Sequence, residues 1–387
     1  MKLVLLLITL SNICFPIKDK IADYILNDID TNLTYQWRLQ YDEGNSQSWS
    51  NHSKTGVSLN FPRIKKYLDI DPNLEFIHVI NHEQSDSQNS LSQTRVTQAY
   101  MSIYQDYGII TIGEKRLSFQ KGRFLSDSNF NLLPKTFGHI GFKSEDSRYQ
   151  LMYLYNYVNS NSTDRVTFQK GSFIVALKNF SLIDNHSISI YNYFFEDINN
   201  TYSLQYTNNI TDLHSVEITY AYQTKPTFYT DSTIQENIPN SNYYDLIYKI
   251  DHDVSNFYLG SRYFQGESQN LGFRAPFSSG HSWDGFSNQF QSQITSGFNE
   301  SFRSIFTKFQ TLIFDDRKVS IHGYLFRNGD LSKNLGAEID LTVQQEVFIN
   351  HFFFNYKLAQ YFSGSHTSAP SELKMWLDFK FLLGSND

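Results

Sequence analysis

The sequence predicts an all-β chain closed into a transmembrane antiparallel β-barrel of about eighteen strands, with sixteen as the alternative. Three observations carry that expectation. Apolar and polar residues alternate with a period of two in segment after segment, as in strands whose two faces meet different surroundings. Aromatics make up 16% of the 387 residues, with 33 Phe and 26 Tyr against 4 Met, while charged residues reach only 18%, a composition suited to strands. No later segment offers the ~20 apolar residues that a membrane helix needs.

The chain opens with MKLVLLLITLSNICF, one Lys followed by an apolar run from Leu3 to Leu10 that extends to Phe15. The run is too short to span a bilayer and has the layout of a secretory signal peptide. The expected signal covers residues 1–22, with a poorly marked cleavage site that allows a cut before Asp23. Cys14 could carry a lipid, but Ile13 precedes it where a small residue belongs. Removal of the signal leaves residues 23–387 as a single outer-membrane barrel domain without cysteine. An exported chain of that kind draws stability from something other than disulfides, such as a closed sheet.

Strand candidates then fall near residues 35, 57, 76, 98, 110, 139, 151, 173, 189, 203, 217, 247, 259, 307, 321, 339, 353 and 377. In YQWRLQYD, Tyr35, Trp37, Leu39 and Tyr41 oppose Gln36, Arg38, Gln40 and Asp42. In SVEITYAYQ, Val216, Ile218, Tyr220 and Tyr222 oppose Glu217, Thr219 and Gln223. GAEIDLTVQ separates Ala337, Ile339, Leu341 and Val343 from Glu338, Asp340, Thr342 and Gln344. FINHFFFNYKLAQYF sets Phe348, Phe352, Phe354, Tyr356, Leu358 and Phe362 against His351, Asn355, Lys357 and Tyr361. The last candidate, LKMWLDFKFLL, sets Leu373, Met375, Leu377, Phe379, Phe381 and Leu383 against Lys374, Trp376, Asp378 and Lys380. Connections such as SNSTD, EDINN and FRNGD carry turn residues. In lipid every backbone polar group must be paired internally, so such a sheet has to close, and sixteen to eighteen strands leave an aqueous channel.

If the apolar face meets lipid, the alternate residues line the lumen. The candidates for ion and solute selectivity are therefore Arg38, Asp42, Glu217, Glu338, Asp340, Lys357, Lys374, Asp378 and Lys380. Closure would bring Arg38 of the first strand near Asp378 of the last. The basic stretch GEKRLSFQKGRF, with Lys115, Arg116, Lys121 and Arg123, either binds an anion or caps a strand end near charged head groups.

Other chemistries find little support. A net charge of -7 with no basic stripe argues against nucleic acid. His186 and Ser187 are adjacent and so point to opposite faces of a strand, while His366 and Ser368 fall in a connection, so no Ser-His hydrolase is expected. His78 and His82 share a strand face about 13 Å apart, too far for one metal. No enzyme activity, metal or cofactor is expected.

The stretch FRAPFSSGHSWDGFSNQF has neither strand nor helix periodicity, and it resembles a motif of the alginate-export family of outer-membrane barrels. Phe273, Pro276, His281, Gly285 and Phe290 take the matching places, Trp283 stands where that family commonly has Phe, Phe286 where it has Trp, and Asn288 replaces an Asp. QAYMSIYQDYGIITIGEKRL resembles that family's strand ending in Gly-Arg-Gln, with Glu114 and Lys115 in place of the Arg and Gln. KGRF and NLGAEIDLTVQQEVFINHFFFNYKLAQYF are similar to further elements in the same order. The resemblance covers roughly residues 30–383 and implies an eighteen-stranded monomeric barrel.

The expected function is an outer-membrane channel of the alginate-export type, passing a hydrophilic solute or anionic saccharide through a polar lumen. Alternatives are a polysaccharide secretion pore with periplasmic partners and a non-conducting surface barrel for adhesion or structure. Because the lumen candidates mix acids and bases, strong anion selectivity is not expected. Arg274, His281, Trp283 and Asp284, in a connection spanning 266–301 between the thirteenth and fourteenth strands, are candidates for a gate. The expected partners are outer-membrane lipid, lipopolysaccharide and the solute or oligosaccharide.

Overall fold

The computed structural model describes residues 29–43, 47–61, 69–83, 91–128, 131–160, 162–227, 240–267, 272–279, 285–313, 317–348 and 352–384. The expected signal peptide at 1–22 lies outside the described residues, as do His281, Trp283 and Asp284.

The strands are β1 (Asp30–Glu43), β2 (Gln47–Asn60), β3 (Asp69–Glu83), β4 (Leu91–Gln105), β5 (Gly108–Lys115), β6 (Thr136–Ser144), β7 (Tyr149–Val158), β8 (Arg165–Ile183) and β9 (His186–Phe195). They continue with β10 (Asn199–Asn209), β11 (His214–Thr224), β12 (Ser241–Asp251), β13 (Ser255–Phe264), β14 (Phe302–Ile313), β15 (Arg317–Asn328), β16 (Asn334–Phe348), β17 (Phe352–Ser363) and β18 (Glu372–Gly384). Each of the eighteen positions read from the sequence falls inside one of these strands, and sixteen is set aside.

Every strand pairs antiparallel with its sequence neighbours, and β1 pairs with β18 from Asn32 opposite Gly384 to Glu43 opposite Leu373. The sheet therefore has no free edge, which is what a wall in lipid requires. Alternation sorts the side chains. On β11, Glu217, Thr219 and Ala221 are buried inside, whereas Ile218 is 44% and Tyr220 37% exposed on the outside. Leu204, Leu246, Leu259, Ile321, Leu325 and Ile339 are also exposed. An apolar belt of this extent is a surface for lipid rather than water.

The two ends of the barrel differ. Connections from even to odd strands span two to eight residues, the shortest at 106–107 and 184–185, whereas the odd-to-even connections include 116–135, 225–240 and 265–301. The start of β1 and the finish of β18 lie at the short-turn end. Outer-membrane barrels turn such short connections toward the periplasm and long loops outward. The stretch 265–301 joins β13 to β14 at the long-loop end, as strand parity predicts, and its described residues include a short helix, α1 (Gln291–Ser296).

Replacing Ile218 by Arg is expected to weaken the bilayer-inserted barrel by about 2–4 kcal/mol. The measurement is the urea midpoint for refolding into lipid vesicles; an unchanged midpoint would remove Ile218 from the lipid face.

Candidate functional site

Two of the long connections fold back into the barrel. The backbone of 116–135 doubles on itself where Phe119 N donates to Leu125 O at 2.9 Å. Between them Gln120, Lys121 and Gly122 all have positive φ, at 48°, 57° and 85°, forming a tight knuckle. The knuckle aims two cations at the wall. Arg123 donates from Nη2 to Glu217 Oε1 and to Asp245 Oδ2, each at 2.7 Å, and from Nη1 to Thr219 Oγ1 at 2.9 Å. Lys121 Nζ lies 3.0 Å and Lys249 Nζ 2.7 Å from Glu217 Oε2, and Arg262 Nε lies 3.5 Å from Asp245 Oδ2. Burial works against the Arg123 charge, but Asp245 and Glu217 outweigh it and hold the guanidinium above its ordinary range. Taking these ions from water is expensive, and the network offsets that cost only while each member keeps its partners. The basic stretch singled out in the sequence is thus turned inward: Lys121 and Arg123 bind wall carboxylates, and Arg116 pairs with Glu75 at 2.5 Å.

The connection 265–301 packs beside the first. Ser126 N donates to Phe277 O at 2.8 Å and Ser279 N to Gly122 O at 3.2 Å, joining the two into one body. Phe273 sits among Phe124, Tyr243 and Phe264, Phe277 against Phe137, Tyr157 and Phe195, and Phe290 against Phe302 and Phe326. Apart from Phe124, which belongs to the first loop, these partners come from the inward faces of β6, β7, β9 and β12 to β15. The sequence reading took the lumen to be polar; over these strands aromatic rings stand beside the inward charges, because Tyr and Phe occur on both faces and the inner set is covered by loop rather than water. Arg274 is tied to the wall, its N donating to Gln223 Oε1 at 3.0 Å, its carbonyl accepting from Gln223 Nε2 at 2.6 Å, and its guanidinium bonded to Ile198 O.

The far part of the loop is seated on β16 and β18. Ser287 N donates to Glu338 Oε1 at 2.8 Å, its hydroxyl to the other Glu338 oxygen, and Phe286 N to Asp340 Oδ2 at 3.2 Å. Lys374 Nζ donates to Ser287 O at 2.8 Å, and Gln289 donates to Glu372. Gly285 has φ of +93°, and a Cβ there would overlap the Glu338 carboxylate. Only glycine fits.

The selectivity candidates therefore divide into three groups. Glu217 holds the knuckle. Glu338, Asp340 and Lys374 seat the loop, with Asp42 3.7 Å from Lys374. Arg38, Lys357, Asp378 and Lys380 gather on the wall formed by β17, β18 and β1. As closure predicts, Arg38 meets Asp378 across the seam, Nε to Oδ1 at 2.5 Å and Nη2 to Oδ2 at 3.2 Å. Lys357 lies within electrostatic reach of Arg38 and Asp378, with Nζ 5.5 Å from the Phe286 ring.

Sequence reasoning missed Asp245, Lys249 and Arg262, and also Lys54 and Glu75. Asp245 and Lys249 share a face of β12 and could have been found from it; NHSKTGVS around Lys54 is polar on both faces and gives no sign. Lys54 lies within electrostatic reach of Arg116, Glu75, Arg38 and Lys380. Toward the short-turn end this wall borders a cavity of about 410 Å³, lined in part by Gln36, Lys318, Gln344, Asn355 and Lys380. Among the described residues, loop thus fills the bore along one side, and the wall of β17, β18 and β1 borders this cavity on the other.

No family model matches the chain, and no curated protein matches its sequence. Solved structures do match. Pseudomonas aeruginosa OpdK with vanillate superposes with a TM-score of 0.70 at 13% identity, covering 93% of this chain and 100% of that one. OpdQ of the same organism gives 0.69 at 12%, and Acinetobacter baumannii OccAB2 gives 0.68 at 12%, each covering 94% of this chain and 100% of the other. The fold is that of a porin-like outer-membrane barrel. At this identity the likeness is one of fold, and it does not extend to the alginate-export type.

Two outcomes test this site. Arg123→Ala leaves two buried carboxylates short of a partner and is expected to cost about 3–5 kcal/mol, read from denaturant unfolding of the refolded barrel. Gly285→Ala is expected to unseat the loop from Glu338 and raise single-channel conductance at unchanged fold; identical current traces would remove the seat from the permeation path.

Proposed function

We propose that this chain is a passive diffusion channel of the bacterial outer membrane, working as a monomer, with a preference for small hydrophilic anions. The observation that carries the reading is the wall of Arg38, Lys54, Lys357 and Lys380 beside the wet part of the bore, with Arg116 at its upper edge. Of the carboxylates on this side, Asp378 is engaged by Arg38 and Glu75 by Arg116, and Glu346 shares the cavity lining with Lys318 and Lys380. From the sequence, acids and bases mix and cancel. With the pairs assigned, Glu217 and Asp245 neutralise the loop anchors, Glu338 is hydrogen-bonded to the loop itself, and the surplus along the open side is positive. A row of cations in a confined aqueous passage raises the local concentration of anions and speeds their entry.

The vanillate of the OpdK crystal carries a carboxylate, and a solute of that charge suits this wall. The motif shared with alginate-export barrels at 273–290 favours a saccharide among possible anions. A second reading, a non-conducting surface barrel, draws support from the aromatic loop core packed inside the bore. Conductance separates the two.

In planar bilayers under a potassium chloride gradient, the reversal potential is expected to show chloride permeating more readily than potassium. Lys54→Glu with Lys380→Glu is expected to reverse that order. Absence of any current would favour the non-conducting barrel, and unaltered selectivity in the double variant would remove the wall from control of permeation.

A further inference from the structure

At the long-loop end the inward loops enclose a second cavity, of about 390 Å³. Of its eleven lining residues nine are Ser, Thr, Asn or Gln, and the other two are Lys135 and Pro276. Ligand sites are usually walled by apolar side chains with a few polar ones among them; here the proportion is inverted. None of the described lining residues is acidic.

Lys135 is only 6% exposed. Among the described residues its ammonium makes no ion pair; its hydrogen bond to Pro276 O is long, at 3.5 Å, and the Phe277 ring lies 5.5 Å away. An ammonium has three donors, so capacity is left over. Burial without an acid beside it pushes this group down to about 8. At the same cavity, Ser278 Oγ, Asn288 Oδ1 and Gln291 Oε1 are buried with no hydrogen-bond partner. Groups left in this way cost about 1–3 kcal/mol each.

The unmet needs are complementary. The two amide oxygens require donors, and the ammonium requires an anionic acceptor. A neutral sugar would serve the amides and leave the ammonium; a plain carboxylate would serve the ammonium and leave the amides. A hydroxylated carboxylate serves both.

We propose that this vestibule binds a sugar acid, its carboxylate on Lys135 and its hydroxyls on Asn288 and Gln291. As a step on the way into the bore it rests on the channel reading, whereas binding itself requires no conduction. The site sits apart from the cationic wall and is built from loops alone.

The test is calorimetric titration of gluconate, glucose and propionate into the refolded barrel in detergent. Gluconate is expected to bind at least about tenfold more tightly than either of the others. Lys135→Met is expected to bring gluconate down to the level of glucose, and Lys135→Arg to retain most of its affinity. Gln291→Leu, at a position away from the wall strands, is expected to weaken gluconate and glucose while sparing propionate; it reads the same site should Lys135→Met fail to refold. Equal affinity for all three probes, or gluconate binding indifferent to both Lys135→Met and Gln291→Leu, overturns the proposal. A barrel that conducts but does not bind gluconate overturns this site alone, and one that binds gluconate but carries no current overturns the channel reading alone.

Discussion

A wall in lipid has no water to bond its peptide groups, so every N–H and C=O must find a partner within the protein. The pairing of β1 with β18 meets that requirement and fixes everything inside. Once the sheet is a cylinder, one face of each strand is turned away from lipid and from bulk water alike. That enclosed face can hold charges which on an open sheet would be solvated and of little structural value. Arg38 and Asp378 lie on it at the seam itself, in a two-point contact that tolerates no slip of the closing register.

The inner charges carry two loads. Glu217 and Asp245 hold a loop in place through Arg123, at a desolvation cost that only a complete network offsets. Arg38, Lys54, Lys357 and Lys380 stand on the wall formed by β17, β18, β1 and β2, with the loop's Phe286 ring 5.5 Å from Lys357 Nζ. Between these regions runs the aromatic core of Phe273, Phe277 and Phe290, which contributes apolar burial and stiff packing. Of these two joined loops one is gripped by ions through Arg123 and the other by Glu338 and Asp340, with rings between them.

Strand positions were legible in the sequence because lipid imposes an apolar side chain at every second residue, and SVEITYAYQ or LKMWLDFKFLL displays that period plainly. The contact of Arg38 with Asp378 was legible for a related reason: closure makes the first and last strands neighbours. What lies inside was harder to read. In NYYDLIYKI both Tyr243 and Tyr244 are aromatic, yet the first packs on loop rings and the second faces outward at 49% exposure. Alternation says that they differ, not which face holds a loop. The partnership of Arg123 with Glu217 joins residues 94 apart in sequence, and no local pattern marks it. A basic stretch looks the same whether it meets a phosphate, a head group or a carboxylate of its own barrel.

The seam joins residues 340 positions apart. Contacts so distant in the chain are slow to form, since most of the polypeptide must be ordered before its two ends can meet. Until then β1 and β18 are both bare edges, each a template for strands of other molecules. The knuckle carrying Arg123 has no enclosed surface to enter before the cylinder exists, so the wall comes first and the loops settle afterwards. The interval before closure is when the chain is most exposed to aggregation, and its safe passage through that interval depends on how quickly its first and last strands find each other.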